Sequence, residues 1–389
     1  MELIYFDNSA TTPLCDAAKQ AMREAMECYG NPSSLHGIGQ EAHLLLERAR
    51  RQVAVSLGIK GTPAAGQLTF TSCGSESDNL AILGCAYAKP RRRGGRVITT
   101  DSEHAGVENA MQALERDGFE VVRISTRGGE LDWEQYQNAL SDRTFLVSIM
   151  TVNNETGALY DLSRAFAMAK AKDPTIVTHT DAVQGYLKCR LAPAALRADL
   201  VTVSAHKIGG PKGVGALYAS PEALKRRDFV PCLLGGGQES GFRSGTENVI
   251  GIVGFGAAAE EGFKSLYQTV AHLTDLRTYA EERLSALPVR LNIPTGKRAP
   301  HILNLTLPDI KSETMLHALS AKGICISHGS ACSSRAQKVS SALTAFGLSA
   351  DDAASSVRIS FGVQNTREQI DRLVDVLSEE LNRLVRIHR

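Results

Sequence analysis

Asp181 and Lys207 each close a run rich in Val, Thr and small residues, and 26 residues separate them. An acid beside a pyridine nitrogen keeps it protonated and makes the ring an electron sink. A lysine amine held nearby can form a Schiff base with an aldehyde. Lys207 lies in Ser204-Ala205-His206-Lys207-Ile208-Gly209-Gly210, whose serine and histidine can reach a phosphate. A second stretch, Thr71-Ser72-Cys73-Gly74-Ser75-Glu76-Ser77, offers small residues that let backbone N–H groups and a helix N-terminus approach an anion, with a hydroxyl from Ser75. Taken alone, the serine-rich stretch reads as a helix cap. An isolated acid or lysine at a strand end reads as a surface ion pair worth little. Embedded together, they describe a cradle for a phosphate, a ring nitrogen and an aldehyde.

The elements that must carry these residues alternate. Leu68–Thr71, Arg96–Thr100, Glu120–Ile124, Phe145–Met150, Thr175–Thr180, Leu200–Ser204 and Ala216–Ala219 are short, mostly apolar and rich in Val, Ile and Thr, which predicts strands buried on both faces of a parallel sheet. Ser77–Tyr87, Ala105–Arg116, Trp133–Leu140 and Leu162–Ala171 read as helices between them, so the fold class is α/β with a mostly parallel sheet flanked by helices. After about Gly262 a long helical stretch runs to roughly Leu287. Strands at Ala299–Leu307 and Ile324–His328 follow, with a charged helix at Thr366–Ile387. The expected division is a large domain over residues 15–262 and a smaller α+β domain built from residues 1–14 and 263–389. Ligands of open parallel sheets bind beyond the carboxyl ends of the strands, where the polar clusters fall.

The chain has 389 residues, of which 43% are hydrophobic, enough for a large core. A formal net charge of +1 gives no electrostatic reason to expect nucleic acid or an anionic membrane as a partner. The opening Met1-Glu2-Leu3-Ile4-Tyr5-Phe6-Asp7 lacks the basic and apolar regions of a secretion signal, no apolar run is long enough to span a bilayer, and a cytoplasmic protein is expected. Eight cysteines form no C-x-x-C pair, so neither a metal site nor a disulfide framework is expected. A Rossmann or P-loop glycine fingerprint is missing, which argues against a dinucleotide enzyme or an NTPase.

The chain resembles the NifS/IscS-type cysteine desulfurases of the class V aminotransferase family, which have the type I fold of pyridoxal-phosphate (PLP) enzymes. The resemblance spans nearly the whole length and rests on motifs in order. They are Tyr5-Phe6-Asp7-Asn8-Ser9-Ala10-Thr11-Thr12, Asn31-Pro32-Ser33-Ser34-Leu35-His36, Phe70–Ser77, Val152-Asn153-Asn154-Glu155, Asp181-Ala182-Val183-Gln184, Ser204–Lys207, Arg243-Ser244-Gly245-Thr246 and Gly329-Ser330-Ala331-Cys332. It implies that Lys207 is the Schiff-base lysine, that Asp181 pairs with the pyridine nitrogen, and that Asn154 and Gln184 contact the phenolic oxygen. His104 would stack on the ring and shuttle protons. Gly74, Ser75, Ser204 and His206 would hold the phosphate, completed by Thr246 from the other subunit of a homodimer. Arg358 would clamp the carboxylate of L-cysteine, with Asn154 beside it.

Cys332 lies in the Gly/Ser-rich run Ser327–Ser334, where a thiol can move between a reaction site and an acceptor protein. It is the expected sulfur acceptor; the other seven cysteines read as buried and inert. On this reading Lys207 removes the α-proton, the Cys332 thiolate takes the substrate sulfur as a persulfide, and alanine leaves. An iron–sulfur scaffold or a tRNA-thiolation protein would receive the sulfur. The chain departs from its relatives at Cys73, where a small residue is usual, at Ser75, where Thr is commoner, and at Gln337-Lys338-Val339-Ser340, where long-loop relatives carry Leu-Glu-Pro-Ser. The competing readings are a selenocysteine lyase, an aminotransferase, and a non-catalytic sulfur-carrying module.

Overall fold

The computed structural model describes residues 3–328 and 340–384. The chain opens with a two-residue strand, β1 (Ile4–Tyr5). It then builds a seven-stranded sheet from β2 (Leu68–Thr71), β3 (Arg96–Thr100), β4 (Glu120–Ile124), β5 (Thr144–Ser148), β6 (Val177–Asp181), β7 (Leu200–Ser204) and β8 (Gly215–Ala219). The spatial order is β2-β8-β7-β6-β5-β3-β4. All pairings are parallel except the two made by β8, which runs back against β7 and β2. Two reversals cancel, so β2 points the same way as β7, and their carboxyl ends share one edge with those of β3, β5 and β6.

Side chains alternate across a strand, and here the alternation sorts them into two cores. Ile98, Val147, Val201 and Ala216 join one apolar cluster, while their neighbours Val97, Leu146, Leu200 and Leu217 join another. Helices cover both faces, which is why these strands are apolar throughout. The helix Val249–Lys264 packs closely on the helix Gly37–Ser56, since a Cβ on Gly256 would lie 2.7 Å from Ala49 Cα.

A separate apolar cluster gathers residues from the two ends of the sequence, including Phe6, Leu276, Leu303, Leu305, Ile359 and Leu373. Its strands are β9 (Arg290–Leu291), β10 (Ile302–Thr306), β11 (Ile324–Cys325) and β12 (Ser356–Ser360). β10 sits between β9 and β12, antiparallel to both, and β11 pairs in parallel with β1. The helices Leu266–Leu284 and Arg367–Arg383 contribute its outer apolar side chains.

Four of the seven expected large-sheet strands match residue for residue. The fifth lies at Thr144–Ser148 rather than Phe145–Met150, because the chain turns into the site before its apolar run ends. The sixth extends to Asp181, making that acid the last residue of a strand. The single helix expected after Gly262 is two, and the first starts at Val249. Among the described residues no helix is long and apolar enough to cross a membrane.

Candidate active site

The carboxyl edge of the large sheet borders a cavity of about 180 Å³. Each strand delivers its polar residues there. β2 leads into the helix Gly74–Tyr87, whose first turn faces the cavity with Gly74 and Ser75. A Cβ on Gly74 would lie 2.8 Å from Val183 Cγ2, so the close approach of helix and strand end requires glycine. β3 leads to His104, which caps the helix Ala105–Arg116; its Nδ1 accepts the Gly106 N–H at 3.1 Å. That bond leaves Nδ1 without a proton and fixes the ring orientation.

Asp181 closes β6. Its Oδ1 accepts the Val183 N–H at 2.8 Å, and burial raises its pKa while His104 and Lys207 oppose the rise. Asp78, one helical turn beyond Gly74, is also buried and lines the cavity; burial and the Asp181 charge push it well above the ordinary carboxylate range. Two buried acids that feel each other's charge cannot both ionise cheaply, and Asp78 is pushed further from the ionised form than Asp181. Behind Asp181, His179 bridges three strands: Ser148 Oγ lies 2.8 Å from its Nδ1, and Thr202 Oγ1 lies 3.1 Å from its Nε2. Burial pushes His179 down to about 3, so it stays neutral.

Lys207 ends the short turn after β7, and its amine donates to the carbonyls of Ser9 and of Ala10, the latter at 2.8 Å. Gln184 Nε2 donates to the same Ser9 carbonyl at 2.9 Å. The backbone of residues 9–15 is laced onto the lysine loop through Thr12 N–H to the His206 carbonyl and Cys15 N–H to the Gly209 carbonyl, both 2.9 Å. His206 lines the cavity and is pushed down to about 4, first by burial and then by Lys207.

The far wall comes from the smaller sheet. Arg358, 1% exposed at the middle of β12, donates to the Asn154 carbonyl at 2.7 Å and to Asp7 Oδ1 at 2.9 Å. Its Nε has no hydrogen-bond partner among the described residues, so the fork retains donors for an incoming carboxylate. Glu155, beside Asn154, is buried and accepts a hydrogen bond from Ser340 Oγ at 2.6 Å.

Gly74, Ser75, His104, Asn154, Asp181, Gln184, Ser204, His206, Lys207 and Arg358 therefore border one cavity. Thr246 does not; it is exposed, away from the lining. Cys332 lies outside the described residues. The sequence reading missed Ser9, Ala10 and Asp78, whose only signal is that Asp78 falls four positions after Gly74 on one helix face. Its view of seven buried cysteines needs correction. Cys85 is buried, Cys15, Cys28, Cys73, Cys189 and Cys325 are half-buried, and Cys232 is exposed on the loop after Pro231. Among the described residues no group of His, Cys, Asp and Glu could hold a metal ion.

The cavity suits a phosphorylated pyridine aldehyde. Ser204 Oγ is buried without a hydrogen-bond partner among the described residues, Gly74 brings a helix N-terminus to the lining, and the buried acid Asp181 lies on the same lining. The chain belongs to the aminotransferase class-V family, which matches residues 4–373. Within it, the chain is similar to the cysteine desulfurase of Trichormus azollae, 38% identical over 388 residues that cover 99% of this chain and 94% of that one. A solved NifS-like protein superposes with a TM-score of 0.90 at 34% identity, covering 98% of this chain and 100% of its own. A structure of SspA in complex with cysteine matches at TM-score 0.79 and 31% identity, over 92% of this chain and 98% of its own.

Proposed function

We propose that this protein is a PLP-dependent cysteine desulfurase that converts L-cysteine to L-alanine and leaves the sulfur on Cys332 as a persulfide. The observation that carries the reading is the meeting of Lys207, Asp181, His104 and Arg358 around one cavity, in a chain whose relatives bear that name. Gly74, Ser75, Ser204 and His206 would hold the phosphate, Asp181 the ring nitrogen, and Asn154 and Gln184 the phenolic oxygen. When bound, PLP supplies an electron sink for the pair left on the substrate Cα. Lys207 takes the α-proton and returns one to the product, and His104, with its ring fixed by Gly106, orients and relays. Arg358 holds the substrate carboxylate through the donors that Asp7 and Asn154 leave unused. The Cys332 thiolate forms the new S–S bond as the substrate C–S bond breaks; the electron pair of that bond stays with the carbon skeleton, which leaves as alanine after protonation.

The same proposal makes the protein a homodimer in which Thr246 completes the partner's phosphate cradle. Leu35, 91% exposed, and Leu234, 79% exposed, offer apolar side chains to such an interface. It divides the chain into a large unit at residues 15–262 and a small one at 1–14 and 263–389. It also has the sulfur pass, in the cytoplasm, to an iron–sulfur scaffold or a tRNA-thiolation protein.

The test is alanine release in a single turnover by Cys332→Ala and Cys325→Ala side by side. Cys325 is held in β11 opposite Tyr5, so its variant should be near normal. Cys332→Ala should lose several powers of ten. Normal turnover by Cys332→Ala with a dead Cys325→Ala reassigns the acceptor. Normal turnover by both overturns the desulfurase reading in favour of a lyase that needs no protein thiol.

A further inference from the structure

Among the described residues β2 is an edge strand: it pairs with β8 alone, which leaves the N–H groups along its other side without a strand partner. Side-chain carboxylates take those of Phe70 and, just past the strand, Ser72. Glu239 Oε2 accepts the Phe70 N–H at 2.8 Å, and Glu76 Oε2 accepts the Ser72 N–H at 2.6 Å. An arginine grips each carboxylate in turn. Arg50 sets its fork on Glu239, with Nη1 to Oε2 at 2.7 Å and Nη2 to Oε1 at 2.8 Å. Arg243 donates from Nε to Glu76 Oε1 at 2.8 Å and from Nη2 to Oε2 at 3.5 Å. The Arg50 tie holds down a strained stretch, since Glu239 and Ser240 both lie in the left-handed region, at φ 50° and 58°. That stretch then delivers Arg243 to Glu76.

An ion pair beside an edge strand is ordinarily worth little. The place of this one is unusual. Glu76 lies in the first turn of the helix Gly74–Tyr87, directly after Gly74 and Ser75, the two residues proposed to hold the phosphate. A carboxylate there already answers the positive end of the helix, and uncompensated it would repel a second anion drawn to the same N–H groups. Burial raises the Glu76 pKa, but the bonds from Arg243 and Ser72 outweigh it and hold the group below the ordinary glutamate range, so Glu76 is ionised at neutral pH. We infer that Arg243 is a positioning residue for the cofactor phosphate that acts through Glu76: it offsets the carboxylate charge at the helix N-terminus and keeps that carboxylate on Ser72, so the receiving turn is fixed and carries no opposing charge. Arg243 itself stands outside the cavity lining, so its influence runs through Glu76.

The inference rests on the cavity holding PLP as proposed, and its test separates the two ideas. The full-length chain freed of cofactor is titrated with PLP and with pyridoxal, which lacks the phosphate, and the ratio of the two dissociation constants is the readout. Arg243→Gln should narrow the preference for PLP by about tenfold with pyridoxal affinity unchanged, and added salt should shrink the difference. Arg243→Lys, which keeps the charge, should recover most of it. Glu76→Gln removes the charge yet can still accept the Ser72 N–H, so it should bind PLP at least as tightly as wild type. Added to Arg243→Gln, it should restore the lost preference. An ion pair that only braces the fold predicts the opposite: Glu76→Gln as damaging as Arg243→Gln, and no rescue in the double variant. That result, or an unchanged ratio in Arg243→Gln, overturns the inference. Should Arg243→Gln not fold, weaker PLP binding by Glu76→Gln alone overturns it. A wild type with no preference for PLP over pyridoxal would dismiss the phosphate cradle itself, and the inference would fall with it.

Discussion

The two walls of the cavity are built differently. On the sheet side, Asp181 and His104 are carried by the strands they follow and tied two residues away, to Val183 and Gly106. On the opposite side the ties of Arg358 are long, to Asn154 across 204 residues and to Asp7 across 351, and Lys207, where the two walls meet, reaches Ala10 across 197. The first wall comes with the sheet; the second needs the whole chain. The proposed roles divide the same way, with cofactor groups on the sheet side and the substrate carboxylate on the other. Local geometry serves a permanently held group, and the distant segments shape the part of the site that must admit and release ligands.

Three variants can break or sharpen this contrast. The largest effect is expected for Lys207→Ala, where both walls meet: turnover should fall by several powers of ten. Borohydride reduction of the wild type, followed by peptide mapping, should place the pyridoxyl group on Lys207, and a label on Lys188 or Lys212 instead would dissolve the assignment. Next, Arg358→Lys keeps a charge beside Asp7 but loses the planar fork. The expected result is a KM for cysteine raised about tenfold or more, with cofactor binding unchanged. Weakened cofactor binding with a normal KM would mean that the walls do not divide the work. The smallest effect concerns His179. Its folded pKa is depressed to about 3 from an ordinary 6.5, so it contributes stability that is present above pH 6.5 and lost as pH falls below it. His179→Gln should therefore flatten the loss of stability between pH 6 and pH 4, by about 1.4 kcal/mol per pH unit in urea titrations. An unchanged slope would place the proton uptake elsewhere.

The sheet wall was legible and the other largely was not, for physical reasons visible in single residues. Arg96–Thr100 and Leu200–Ser204 are short apolar runs bounded by polar or glycine-containing stretches, and a buried strand leaves few other readings. The start of the helix Val249–Lys264 is hidden because its four glycines lower helix propensity, although one of them, Gly256, is what lets it approach the helix Gly37–Ser56. The helix Asp16–Ala25 went unread, capped by a cysteine rather than by a usual capping residue. Arg358 interrupts its own strand with a charge, and only the structure shows that Asp7 offsets it. Ser9 and Ala10 act through backbone carbonyls, which side-chain identity cannot announce. Lys188 went unread, since its burial depends on helices some sixty to ninety residues away in sequence.

The ties of residues 5–9 also bear on how the protein is made. Tyr5 pairs beside Cys325, Asp7 holds Arg358, and Ser9 N–H donates to Ser360 Oγ at 2.8 Å. At about 5–20 residues per second on the ribosome, Asp7 waits roughly 20 to 70 s for its partner to be synthesised. The seven-stranded sheet is complete once Ala219 has emerged, so a nascent chain has its sheet wall long before β12 exists. On the proposed roles, cofactor capture can begin during synthesis, whereas the grip of Arg358 on the substrate carboxylate cannot. On those roles the growing chain is unable to start turning over cysteine until its last strand has been made.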